Sequence, residues 1–249
     1  MASNTDPFEW DAARYGELPL PHVAWGRGVL DRLALRGDER VLDLGCGTGR
    51  DARALLQAHP GCSVVGLDAS AAMLDAAATT LADFPQAHLI RADLRGGFCL
   101  RQPVDAALSV AALHWLPDHR PVFASTFAAL RPGGRFVAEC GGFGNIARFI
   151  EALGRVTGGV APLPWNFATA PATEQLLRDA GFVDARARLR PDAVRLDPAA
   201  FPSYLASVLM GKHLAELAPD KGTELVDAVA EAMGEPVIDY VRLEFEAVR

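Results

Sequence analysis

Val41-Leu42-Asp43-Leu44-Gly45-Cys46-Gly47-Thr48-Gly49 decides how this chain is read. A short apolar run ends in three alternating glycines, with a carboxylate two residues before the first of them. A helical pattern follows directly, from Arg50 to about His59. An apolar run, a glycine turn and a helix start read together as strand, tight loop and helix. Glycine has no Cβ, so backbone N–H groups in such a loop can approach a ligand closely.

Two ligand classes compete for a loop of this kind. A dinucleotide fingerprint needs G-x-G-x-x-G. Counted from Gly45, the third place is Arg50; counted from Gly47, it is Ala52, so the Gly/Ala variant survives on spacing. Asp43 favours the other class. A carboxylate at the loop mouth repels a pyrophosphate and attracts a ligand bearing an ammonium and a sulfonium, as S-adenosylmethionine does.

The elements downstream repeat the pattern. Val64-Val65-Gly66-Leu67-Asp68 is a second apolar run ending in an acid, about 20 residues after the loop, where a carboxylate accepts hydrogen bonds from ribose hydroxyls. Ser70 reads as the N-cap of a helix with Met73, Leu74, Ala77 and Leu81 on one face. Met73 either lies against an adenine or fills the core. His88-Leu89-Ile90-Arg91 leads to Asp93, suited to an adenine amino group or to a turn. A fourth run, 106–110, enters Ala111-Ala112-Leu113-His114-Trp115. A helix with Pro121 near its start follows, and Arg131-Pro132-Gly133-Gly134 ends it before a fifth strand at 135–140.

In order, Asp43-Leu44-Gly45-Cys46-Gly47-Thr48-Gly49, Gly66-Leu67-Asp68, Ala92-Asp93, Ala111-Ala112-Leu113-His114-Trp115 and Leu130-Arg131-Pro132-Gly133-Gly134 resemble the successive motifs of class I S-adenosylmethionine-dependent methyltransferases. The Leu-His-Trp segment is most similar to the small-molecule branch that includes trans-aconitate methyltransferase and the biotin-pathway carboxyl methyltransferase. The resemblance is strong over 38–142 and weaker on both flanks. It implies S-adenosylmethionine as cofactor and S-adenosylhomocysteine as product. It implies cofactor contacts at Asp43, Gly45, Cys46, Gly47, Gly49, Asp68, Ala69, Met73, Asp93, Leu94 and Ser109, with Tyr15 reaching in from the N-terminal part. It implies substrate contacts at His114, Trp115, Tyr204 and His213, and no metal. Two places depart from the family pattern: Val110 replaces a polar residue common before Ala-Ala-Leu-His-Trp, and Arg50-Asp51 is unusually polar for that helix start.

Composition supports one α/β domain. The chain has 249 residues, half of them hydrophobic. The expected fold is a Rossmann-like doubly wound sheet of seven strands with an antiparallel last strand and a helical lid insertion. N-terminal cover helices are expected over 1–35, a cofactor-binding core over 38–142, and a substrate side over 143–249. Within that side, lid helices occupy about 198–233 and a closing strand 237–248. In the strand, Val241, Leu243, Phe245 and Ala247 alternate with Arg242, Glu244 and Glu246, which predicts a half-exposed strand. Trp10, Tyr15 and Trp25 belong to the N-terminal cover, either facing the site or anchoring a helix.

Net charge is −7, which argues against broad nucleic-acid binding. Arg186, Arg188 and Arg190 share one strand face and read as solvated. Cys46, Cys62, Cys99 and Cys140 show neither metal spacing nor a disulfide framework. No apolar run reaches the length of a membrane span, and the first residues lack a secretion signal. A cytoplasmic monomer or homodimer acting on a small molecule is expected.

His114 is the candidate general base, or a structural histidine near the cofactor. A carboxylate acceptor needs no base, whereas a hydroxyl or carbon acid does. Trp115 forms a pocket wall or packs; His119 reads as an exposed turn residue. No arginine cluster suited to a tricarboxylate stands out. The expected reaction is transfer to a small metabolite, with oxygen favoured. A cyclase or isomerase using the same cofactor, or a partner protein with a retained pocket, remains the alternative.

Overall fold

The computed structural model describes Glu9 and residues 22–249 except 160, 162 and 216. Trp10 and Tyr15 therefore lie outside the described residues. Seven strands form one sheet: β1 (Arg40–Leu44), β2 (Ser63–Asp68), β3 (Ala87–Arg91), β4 (Val104–Val110), β5 (Leu130–Gly141), β6 (Val183–Arg195) and β7 (Val237–Val248). Their order is β3-β2-β1-β4-β5-β7-β6. The first five pair in parallel, and β7 runs antiparallel between β5 and β6. This is the doubly wound α/β sheet with a reversed last strand that the motif order predicts.

The central strands are mostly apolar because consecutive residues serve opposite layers. Val41, Val64, Ala106 and Val137 pack under α1 (His22–Leu33) and α2 (Arg50–Ala58). Leu42, Val65, Ala107 and Phe136 pack under α4 (Arg120–Ala129) and α6 (Ala170–Asp179). α3 (Ala71–Thr80) begins at Ser70, whose hydroxyl accepts the Met73 N–H at 3.2 Å. Gly181, at φ +105°, ends α6, and a Cβ there would press into the Phe127 ring.

A third apolar layer covers one end of the sheet. It joins α5 (Ala147–Thr157), α7 (Phe201–Tyr204), α8 (Gly211–Leu214) and α9 (Pro219–Met233) to Trp25 and Tyr240. The helical span expected over 198–233 is broken. After α7 the chain widens into a π-helical turn, Leu205–Leu209, in which the Met210 N–H reaches back to Leu205 O at 2.8 Å.

Four further expectations are corrected. β7 is not half-exposed: Arg242 and Glu244 are buried, because α1 and the arginines of β6 cover its polar face. Of the three β6 arginines read as solvated, Arg188 and Arg190 reach across to Glu244, and Arg190 also to Glu139. β5 starts at Leu130, with the Arg-Pro-Gly-Gly turn taken up as an irregularity in its pairing with β4. His119 is buried, with Nε2 2.9 Å from Leu113 O.

Phe123 lies at the centre of the α4 layer, with the Phe245 and Phe136 rings at 5.5 and 6.0 Å. Phe123→Ala is expected to cost about 3–5 kcal/mol, read from urea unfolding. A loss under about 1 kcal/mol would show that this layer can collapse around the gap.

Candidate active site

The strand order reverses between β1 and β4, and a crevice at the carboxyl ends of the strands is the expected ligand position in such sheets. A cavity of about 950 Å³ opens there. The glycine loop forms one wall. The Gly45 and Cys46 N–H groups both donate to Leu67 O, at 2.8 and 3.0 Å, and this ties the loop to β2. Gly45 has φ +72°, and a Cβ on it would overlap the Ala112 side chain. Gly47 has φ +53° and faces open space.

Asp68 stands on the same wall. One carboxylate oxygen accepts the Gly47 N–H and the other the Ser70 N–H, both at 2.9 Å. Burial raises its pKa against those two hydrogen bonds. Glu9, from the segment expected to form the N-terminal cover, accepts hydrogen bonds from the Ser70 hydroxyl and the Ala71 N–H beside it. Asp93 lines the wall further along, held below its ordinary pKa by the Arg95 hydrogen bond.

Asp43 lies behind the loop, buried, and its Oδ2 has no partner. Burial and the nearby Asp51 and Asp68 charges push its pKa well above the usual value, with Arg50 opposing. Three acids therefore converge at this end, with Arg50 lying 3.4 Å from Asp51.

The expected contacts separate into two groups. Gly45, Cys46, Gly47, Asp68, Ala69, Met73, Asp93 and Leu94 all line the cavity, as do His114 and Trp115. Asp43, Gly49, Ser109, Tyr204 and His213 are not among the described lining residues. Gly49 begins α2 and packs on Ala77 and Leu81. The Ser109 hydroxyl donates to Leu44 O at 2.7 Å and fastens β4 to the end of β1. The Tyr204 phenol pairs with Tyr240 at 2.6 Å inside the cover layer. His213 packs on the Trp165 ring, with centroids 5.7 Å apart.

The far wall holds Trp25 together with Arg242, Trp165 and Phe167, three residues not expected at the site. Arg242, from β7, is 1% exposed; its guanidinium lies 3.6 Å over the Trp25 ring and 3.3 Å from Glu139. One terminal nitrogen of Arg242 has no partner. Trp25 is both helix anchor and wall, since its indole N–H donates to Asp192 at 2.6 Å. Trp165 and Phe167 come from an irregular loop and stack on each other. Ala111 and Ile146, both on the wall, have φ near +50°, a costly state for residues with a Cβ. Among the described residues, no cluster of His, Cys, Asp or Glu is placed to hold a metal ion.

His114 accepts the Gly141 N–H at Nδ1, at 3.3 Å. Burial, with the Arg242, His119 and Lys212 charges, holds its pKa well below the usual value. The ring is therefore neutral at pH 7, and its proton sits on Nε2.

A methyltransferase-domain family model matches residues 41–134. Trans-aconitate 2-methyltransferase of Azoarcus sp. (strain BH72) is 32% identical over 230 residues, spanning 81% of this chain and 88% of that one. The chain belongs to the class I S-adenosylmethionine-dependent methyltransferases. The YcgJ protein of Bacillus subtilis shares the fold of this methyltransferase at a TM-score of 0.65 and 14% identity, over 92% of this chain and 99% of that one. Haemonchus contortus phosphoethanolamine N-methyltransferase 2, solved with phosphomonomethylethanolamine and S-adenosylhomocysteine, gives a TM-score of 0.60 at 18% identity, over 90% and 52%. These two likenesses concern the fold.

The glycine-loop wall of this methyltransferase fits S-adenosylmethionine on two observations. Asp43 carries a buried carboxylate oxygen with no partner, in a site that already repels its own charges. Gly47 leaves open the space that a side chain would fill. Asp68→Ala is expected to weaken the cofactor by about 1.5–3 kcal/mol in titration calorimetry; unchanged affinity would remove Asp68 from the site. The raised Asp43 and Asp68 pKa values mean that acidification protonates both groups and cancels their pull on a cation. Cofactor affinity is therefore expected to fall as pH drops from neutrality toward 4, with protons released on binding, and Asp43→Asn should diminish that release.

Proposed function

We propose that this methyltransferase esterifies a carboxylate of a small metabolite. The observation that carries the reading is the division of charge along the cavity. Acids gather at the glycine loop, where Arg50 and Arg95 are matched by Asp51 and Asp93. Beyond His114 the wall carries Lys212 and Arg242, the latter bonded to Glu139 behind it, and the described lining residues there add no acid. An anionic acceptor suits that half as a cationic donor suits the other. The naming of the Azoarcus relative as a trans-aconitate 2-methyltransferase supports a carboxylate acceptor. The expectation that no arginine cluster suits a tricarboxylate stands beside this reading: Arg50 and Arg95 on the wall are paired with Asp51 and Asp93.

S-adenosylmethionine supplies a methyl group on a positively charged sulfur, which leaves without acid catalysis. The protein's task is to align the acceptor and exclude water, and orientation can contribute up to about 7–11 kcal/mol. A carboxylate is ionised at pH 7 and needs no base. His114 matches that requirement. Its Nδ1 lone pair is engaged by Gly141, so the ring offers an Nε2–H donor to an acceptor oxygen. We thus assign His114 to positioning in place of the general-base role its sequence context suggested, with Trp115 beside it as wall. Gly49, Ser109 and Asp43 support the cofactor wall from behind.

We also treat the chain as one methyltransferase domain working in the cytoplasm, with the broken helices of 198–233 as its cover. The bacterial relative supports the compartment. No described helix is long and apolar enough to cross a membrane.

The decisive experiment is a pH profile of S-adenosylhomocysteine release with a carboxylate acceptor. kcat is expected to stay flat from pH 6 to 9. His114→Ala should lower kcat/KM by about 10–100-fold with little change in cofactor affinity, the range for loss of one hydrogen bond to a charged group. A rising limb on the acid side of the usual imidazole range that vanishes in His114→Ala would restore the base.

A further inference from the structure

We propose that the acceptor is a monocarboxylic acid with a flat apolar body, an aryl or arylalkanoic acid. The inference rests on the carboxylate reading above and goes beyond it to the rest of the molecule.

The cavity is at the upper end of the size usual for small-molecule sites, so it has room past the cofactor. The wall there is mostly aromatic. Trp165 and Phe167 stack with centroids 5.8 Å apart and planes 8° apart. Trp115 stands 5.8 Å from Trp165 at an interplanar angle of 52°. All three rings are only half-buried, and all face the cavity. Leu163, Val208 and Val110 extend the same surface.

The two asparagines on this side are each held through one amide atom. Asn145 Oδ1 accepts the Val241 N–H at 2.9 Å, and Asn166 Nδ2 donates to Pro117 O at 3.2 Å. The Lys212 ammonium sits 4.9 Å over the Trp115 ring. His114 Nε2–H and the unpartnered Arg242 nitrogen remain, close together because Gly141 both bonds His114 and pairs with Arg242 in the sheet. Two donors satisfy one carboxylate. A second or third carboxylate would either draw Lys212 off the Trp115 ring or lie unmatched against tryptophan, and both are costly in a buried site. A planar hydrocarbon body instead gains burial and ring contacts along the Trp115–Trp165–Phe167 wall.

The test compares 3-phenylpropanoate, cinnamate and trans-aconitate as acceptors, with S-adenosylhomocysteine release as readout and 3-phenylpropanol as a fourth probe. The two aryl acids are expected to exceed trans-aconitate in kcat/KM by at least tenfold. Trp165→Ala should lower kcat/KM for the aryl acids about 30-fold, mainly through KM, while cofactor affinity stays within twofold. Phe167→Leu, a milder change, should act in the same direction and guards against misfolding of the first variant. Two failures are distinguishable. Preference for trans-aconitate, or aryl-acid kinetics indifferent to both variants, overturns the aryl proposal and leaves carboxylate methylation standing. Transfer to 3-phenylpropanol but to no acid overturns the carboxylate reading and the proposal with it; no turnover of either aryl acid at millimolar concentration also overturns the proposal.

Discussion

One carbonyl, Leu67 O, accepts two consecutive N–H groups from the glycine loop, those of Gly45 and Cys46. The shared acceptor pulls the loop off the end of β1 and lays it across the end of β2. Asp68, the next residue, then meets the Gly47 N–H. On the opposite side the Ser109 hydroxyl holds Leu44 O, and Ala112 leaves no space for a side chain on Gly45. The loop is thus gripped by both neighbours of β1, at the point where the strand order reverses. Backbone groups do most of this, so the site is fixed by where three strands stop.

Two kinds of buried charge follow from that frame and act differently. At the loop, Asp43, Asp51 and Asp68 repel one another, and burial raises all three pKa values. This conflict is relieved by a cation, so it favours ligand over empty site. At β7, charges are matched. Glu244 receives Arg32, Arg188 and Arg190, and the hydrogen bonds from Arg190 and Arg188 outweigh burial in holding its pKa down. Glu139 is engaged by Arg242 and Arg190, yet burial still raises its pKa. A buried network of this type adds little net stability, since desolvation offsets attraction. Its consequence here is geometric: Arg242 is sandwiched between Trp25 and Glu139, and its remaining nitrogen has a fixed position.

The frame was legible in the sequence because it depends on local rules. Apolar runs, glycines needing positive φ and the Ser70 cap act over a few residues, and each element they predict is present. The glycine-loop wall of the cavity follows from the same rules, as Asp68, Gly47 and Asp93 lie at or just past strand ends. The far wall was less legible. Arg242 reads as the polar half of an alternating strand, and alternation reports polarity, not exposure; only the packing of α1 over β7 buries it. Trp165 and Phe167 lie in a loop without periodicity, so nothing local gives them a direction. Tyr204 and His213 fall on helices with a visible apolar face, but the π-helical turn between them rotates the chain, and they point into the cover layer.

Part of the backbone strain lies at the same place. Ala111 takes positive φ directly after β4, and Ile146 takes it at the cap of α5. Each such residue costs about 1–3 kcal/mol, and Ile146, β-branched, is the worse fit. Both are held by one backbone bond to a neighbouring strand: the Ala111 N–H to Glu139 O at 2.7 Å, and the Ile146 N–H to Asp239 O at 3.1 Å. At Ala111 the left-handed turn bends the chain leaving β4, and Ala112 comes against Gly45. Strain and uncompensated acid charge are therefore costs of the same construction. They are tolerable because large apolar clusters flank the sheet on both faces, and stability gained there is spent at the end of the sheet where a ligand can return part of it.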